Sequence, residues 1–181
     1  MCNCNICAND VEVINTFEEP VITEISQARA GVNGQSYFLT TQQQTVANNA
    51  AIFLQITNPA GSGKVIHIGR IAGTASTSTI ITLNRNGSFP AAGTSITPVN
   101  SNFSSANTSV VTAKFVNQIA NPTVGGVIFQ EFIQSGQGFT LIEYNGIIVM
   151  PSGTTFVIHL FNNSGGPNVL SLNVNFWETT L

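Results

Sequence analysis

Through most of the chain, apolar and polar residues alternate in short runs set apart by Gly, Pro, Asn and Ser. A period of two sends successive side chains to opposite faces, as in a half-buried β-strand. The pattern predicts strands at residues 36–41, 51–57, 64–71, 79–83, 109–115, 127–133, 139–144, 147–150, 155–161 and 169–177, with a further short one at 21–26. In the run from Lys64 to Ile71, Ile66 and Ile68 share one face and Val65, His67 and Gly69 the other. In the last run Leu170, Leu172, Val174 and Phe176 fall on a single face, as the inner side of a closing strand requires. Residues 30–34 read as a turn and 42–49 as a polar loop; helix signals are nearly absent. The clusters Asn86-Gly87, Pro151-Ser-Gly153 and Ser164-Gly-Gly-Pro167 are the punctuation of an all-β protein.

Eight to ten strands with unequal spacers and no internal period fit a two-sheet sandwich better than a repeat array. Long spacers such as residues 86–108 suit connections that cross from sheet to sheet. The expectation is therefore all-β: a single jelly-roll β-sandwich over residues 21–181, preceded by an extended N-terminal connector arm, residues 1–20.

The arm reads differently from the body. Val11, Val13 and Phe17 alternate as a strand would, yet no tight turn links them to a neighbouring strand. Such a segment can add to an exposed sheet edge of another subunit, gaining main-chain hydrogen bonds there. All three cysteines, Cys2, Cys4 and Cys7, precede it. An odd count in an otherwise cysteine-free chain points to partners in other chains, to a metal or to free thiols. Three cysteines with no nearby histidine fall one short of a closed zinc site, and a Cys2–Cys4 bridge would close a very tight ring. Interchain disulfides are the favoured reading, and with no cysteine in the body they would join the arms of different subunits.

Composition sharpens this picture. Charged residues make up 7% of the chain, against about 25% in an ordinary soluble domain. With 43% hydrophobic residues and a mean hydropathy of +0.23, the chain favours extended structure over disorder, and so weakly charged a surface is expected to be covered by other subunits. Asp10, Glu12, Glu18, Glu19 and Glu24 make the first 24 residues wholly acidic, while five basic residues face three acidic ones in the remainder. An acidic arm and a slightly basic body attract head to tail; a merely solvated terminus is the plainer alternative. No basic run suggests nucleic acid, and no apolar run approaches the roughly 18 residues of a membrane helix. The N-terminus carries neither the basic nor the apolar region of a secretory signal, so the expected route to an oxidising exterior is lysis of the producing cell. Four Asn-x-Ser/Thr sites, Asn86, Asn102, Asn107 and Asn162, would accept glycans only in a secretory protein.

Catalytic chemistry finds little support. Gly61-Ser-Gly-Lys64 resembles a phosphate loop, but Asn58 stands where the pattern needs glycine and Val65 where it needs Ser or Thr, so a β-turn is expected. His67 and His159 sit in alternating strands without a carboxylate or cysteine nearby in sequence, and Glu131, Glu143 and Glu178 are too scattered to argue a carboxylate pair. No nucleophile elbow or zinc-protease helix motif occurs. The expectation is a protein that is not an enzyme and needs no cofactor or metal.

The start, Cys2-Asn-Cys-Asn-Ile-Cys7-Ala-Asn, resembles the cysteine-bearing N-terminal connectors of the endospore appendage (Ena-like) pilin family, whose jelly-roll subunits polymerise outside the spore. The resemblance covers about the first ten residues and implies a connector that reaches neighbouring subunits and forms disulfides with them. Ile56-Thr-Asn-Pro-Ala-Gly-Ser-Gly-Lys64-Val-Ile-His-Ile68 with Thr94-Ser-Ile-Thr-Pro-Val-Asn100 resembles jelly-roll structural domains of phage particles and spore-surface proteins. Together these imply a structural subunit that self-assembles into an extracellular fibre or pilus-like spore appendage, with copies of itself and a spore-surface anchor protein as partners. The alternative is a phage or spore-surface decoration module that recognises a glycan or receptor.

Overall fold

The computed structural model describes residues 26–90 and 92–180. Two antiparallel sheets pack face to face. The strands are β1 (Ser36–Thr40), β2 (Gln44–Val46), β3 (Ala51–Asn58), β4 (Lys64–Ala75), β5 (Thr79–Arg85), β6 (Thr94–Ile96), β7 (Val99–Asn100), β8 (Thr112–Gln118), β9 (Val127–Gln134), β10 (Gly138–Met150), β11 (Thr154–Asn162) and β12 (Asn168–Thr180), and one short helix, α1 (Gln27–Val32), precedes them. The first sheet runs β10-β4-β12-β1-β7, with β2 also on β12; the second runs β6-β8-β3-β11-β5-β9.

Four of these pairings nest first strand with last: β1 with β12, β3 with β11, β4 with β10 and β5 with β9, all antiparallel. That nesting, split over two sheets, is the jelly roll expected from the alternation. The periodicity also places side chains correctly. Ile66, Ile68, Leu170, Leu172, Val174 and Phe176 are all fully buried in the core between the sheets. There Phe176 stacks on Tyr37, with ring centroids 5.6 Å apart.

Several elements differ from expectation. Residues 21–25 of the predicted strand at 21–26 lie outside the described residues, and Ser26 caps α1, its hydroxyl accepting from the Arg29 N–H at 3.3 Å. The predicted turn at 30–34 is the second half of that helix and its exit through Gly34 at φ +65°. A helix this short has little stability of its own; burial of Ala30 and the Gln27–Asn175 hydrogen bond hold it on the first sheet. The predicted polar loop at 42–49 contains β2, because the long β12 extends past β1 and leaves an edge that residues 44–46 can pair. β6 and β7 were not expected either, so the strands among the described residues number twelve rather than eight to ten. The runs 139–144 and 147–150 are one strand, β10, interrupted by a bulge.

The chain's many asparagines find their use at the turns. Buried Asn162 donates through Nδ2 to the carbonyls of Val46, Ala47 and Gly166 at 2.8–2.9 Å. Asn58 does the same for Lys64 and Met150, both at 2.9 Å, and Asn168 Oδ1 accepts from Ser76 and Thr77. Backbone groups that connections would otherwise bury unpaired are thereby satisfied. Asn162 is 0% exposed, so the folded protein cannot present that glycan site.

Two stability outcomes follow. Phe176→Ala is expected to cost about 3–5 kcal/mol by loss of buried contacts and the cavity left behind. Asn162→Ala should cost about 2–3 kcal/mol by orphaning buried carbonyls. Denaturant unfolding monitored by Trp177 fluorescence measures both, and a loss below 1 kcal/mol for either would contradict its assigned role.

Candidate assembly surface

Each sheet of a sandwich ends in two edge strands, and each edge leaves a row of backbone N–H and C=O groups unpaired. The two sides of this sandwich treat those rows differently. On the β1/β3 side, the excursion between β5 and β9 extends both sheets: β7 pairs with β1, and β8 pairs with β3 and carries β6. The strands that finally end the sheets there are only two residues (β7) and three residues (β6) long. Phe89 anchors the start of the excursion over the outer face of the second sheet, packing with Phe53 and Val157. Its N–H donates to Gln55 Oε1 at 2.8 Å, and its carbonyl accepts from Lys114 Nζ at 2.9 Å.

The other side has no such cover among the described residues. β9 pairs only with β5 and β10 only with β4, and they are eight and thirteen residues long. Both are rich in exposed apolar side chains: Val127, Ile128, Phe129 and Ile133 on β9, and Phe139, Leu141, Ile147 and Val149 on β10. Phe139 and Ile133 are each 68% exposed and Ile147 79%, in a protein whose inner strand positions are near zero. Lone exposed apolar residues elsewhere, such as Phe103, need no explanation; eight concentrated on two edge strands do.

Between the two edges lies a groove of about 650 Å³, lined by Arg85, Phe129, Ile147, Val149, Met150 and Phe156 among others. Phe129 packs on Phe156 at 5.9 Å between ring centroids. The β10 bulge shapes the rim. Residues 144–147 leave the pairing with β4 through Asn145 (φ +49°) and Gly146 (φ +87°), and a Cβ at Gly146 would lie 2.5 Å from the Trp177 ring. Only glycine satisfies both the dihedral and the approach. The bulge carries Ile147 out to solvent and turns Tyr144 inward, where its hydroxyl donates to Gln130 Oε1 on β9 and ties the two edges across the opening. Burial pushes the Tyr144 phenol up to about 12, so the tie keeps its proton throughout the neutral range.

The other residues singled out from sequence are dispersed. Cys2, Cys4, Cys7, Val11, Val13 and Phe17 lie outside the described residues. Gly61-Ser-Gly-Lys64 is the expected turn, with the Ser62 N–H donating to the Pro59 carbonyl at 3.2 Å. His67 stacks on Trp177 at 5.3 Å, and its Nε2 is 3.0 Å from Thr179 Oγ1. Glu178 is buried and accepts from Ser109 Oγ and the Val110 N–H, fixing the chain that leads into β8. Glu131 accepts from Thr82, and Glu143 faces Arg70 at 3.9 Å on the surface. Among the described residues no three His, Cys, Asp or Glu side chains gather where they could hold a metal ion, and no helix is long and apolar enough to cross a membrane. The uncovered edge was missed, although the consecutive Val127-Ile128-Phe129 and the apolar residues at odd positions of β10 were its signal: strands apolar on more than their core face.

His159 lies on the outer face of the second sheet, edge-on to Phe53 at 4.8 Å with its Nε2 2.9 Å from Thr123 Oγ1. Burial lowers its pKa from 6.5 to about 4. As pH falls, the unfolded chain takes up this proton first. The stabilising contribution is thus complete above about pH 6.5 and is lost progressively toward pH 4, amounting to about 3 kcal/mol. Unfolding free energies measured across that window should show the fall in the native protein and a flatter profile in His159→Gln. Comparison with protein-family models finds no match to this chain, and comparisons with curated proteins and with solved structures find no significant one.

Proposed function

We propose that this protein is a structural subunit that polymerises into an extracellular fibre, joined by docking of the N-terminal arm on the exposed sheet edge of a neighbour and locked by interchain disulfides through Cys2, Cys4 and Cys7. The observation that carries this reading is the contrast between the two sides of the sandwich. One side ends in strands of two and three residues, which is how a protein blunts an edge against unwanted pairing. The other presents two long apolar strands, which is how an edge is left available for strand addition. The scarcity of charge, 7% of residues, agrees with a surface meant to be covered. The resemblance of the first ten residues to endospore appendage connectors supports a location on the spore surface, reached by lysis of the producing cell, with an anchor protein at the base of the fibre.

A surface decoration module that recognises a glycan or receptor is the second reading, and the groove beside β9 is what favours it. Negative-stain microscopy of the purified protein separates the two, with filaments or stacked rings on the first reading and discrete small oligomers on the second. Phe139→Glu combined with Ile133→Lys should abolish the filaments while leaving the thermal unfolding midpoint near that of the native protein, since exposed substitutions change stability by only about 0.5 kcal/mol each. Filaments that persist unchanged would remove the edge from the assembly.

Replacing Cys2, Cys4 and Cys7 together by Ser should leave folding and filaments intact but make them dissolve to monomer in boiling detergent without reductant, whereas native filaments should need a thiol. Native filaments that run wholly as monomer on a non-reducing gel would leave docking alone to hold the fibre.

A further inference from the structure

Resting on the assembly reading above, we propose that the groove between β9 and β10 is the seat for residues 11–17 of a second copy. Four observations select this occupant. The first is the poverty of the body's other edge: β6 and β7 offer three and two residues, too few to match an eight-residue β9. Head-to-tail growth by edge pairing therefore has no suitable strand within the body.

The second is length and pattern. Residues 11–17 would span about 23 Å as a strand, close to the length of β9, and Val11, Val13 and Phe17 would share the face turned toward Phe129, Met150 and Phe156. The third is charge. Arg85 stands at the groove without a carboxylate partner among the described residues, and Glu12, Glu18 and Glu19 lie within or beside the segment.

The fourth is where the chain outside the described residues joins the body. Ser26 precedes α1, whose Gln27 bonds Asn175 and lies beside Gly69 and the Trp177 ring. The same ring also lies against Gly146, in the bulge that carries Ile147 to the groove rim. Residues 18–25 can extend up to about 29 Å from this point. The arm thus leaves its own body close to the side that bears the open edge, with enough chain to cross to a neighbour.

The test uses the full chain with Cys2, Cys4 and Cys7 replaced by Ser. One preparation carries Phe17→Cys and the other, with a tag of different mass, carries Ile147→Cys. The two are mixed under conditions where filaments form, oxidised mildly and run on a non-reducing gel. A band joining the two tags is expected, at least tenfold stronger than when Ile119→Cys replaces Ile147→Cys, an exposed control just past β8 on the other side of the sandwich. Val149→Cys serves as a second groove position should Ile147→Cys fold poorly.

Filaments that form without this cross-link overturn the seat while leaving the assembly reading in place. A bond that appears only when both cysteines are in one chain shows the arm on its own body and overturns the second copy as occupant. Self-pairing of Ile147→Cys chains, with no bond to Phe17→Cys, shows two body edges meeting and also overturns it. Absence of any association between copies removes the assembly reading and the seat with it.

Discussion

A β-strand needs a neighbour on each side, and the last strand of a sheet has to leave one row of N–H and C=O groups to water or to another chain. Much of this molecule is arranged around that constraint. The excursion between β5 and β9 crosses the outer face of the second sheet, adds the short β7 to β1, and adds β8, edged by the short β6, to β3. A chain that covered both sides this way would be a closed particle. Among the described residues all the cover goes to one side, so the sandwich is directional, with a finished edge and an unfinished one.

The interior that supports this asymmetry is built with little charge. Nested pairs bring β1 to β12 and β4 to β10, and the space between the sheets is filled almost wholly by aliphatic and aromatic side chains. Buried asparagines hold the connections by donating to several carbonyls at once. An amide carries both donor and acceptor in a short, uncharged side chain, so it can satisfy a buried turn without the desolvation cost of an ion.

The sequence made the sandwich readable wherever one face of a strand meets the core and the other meets solvent. Leu170, Leu172, Val174 and Phe176 announced β12, and Ile66 and Ile68 announced β4, because a period of two leaves no other arrangement. It was less informative where pairing rather than burial makes the strand. β2, β6 and β7 are two or three residues long, and their partners are distant in sequence: β12 lies more than 120 residues beyond β2. α1 escaped because its capping serine was read as a strand end and its six residues are held by tertiary contacts. The bulge in β10 was read as a break between strands, since Asn145-Gly146 is also the signal of a hairpin turn. The open edge left a trace in Val127-Ile128-Phe129, but only the topology shows which strands end the sheets.

The neutral turn network has a consequence for the surroundings the fold tolerates. Among the described residues the single ion pair is Arg70–Glu143, long at 3.9 Å and set at the surface, where dissolved ions screen it readily. The remaining cohesion comes from apolar packing and from hydrogen bonds mostly between uncharged amides, hydroxyls and backbone, with Glu178, Glu131 and Lys114 bonded to neutral partners. Counterions have few ion pairs in such a framework to weaken. Fresh water and brine therefore differ little for the sandwich itself, and changes of ionic strength bear mainly on what approaches its open edge.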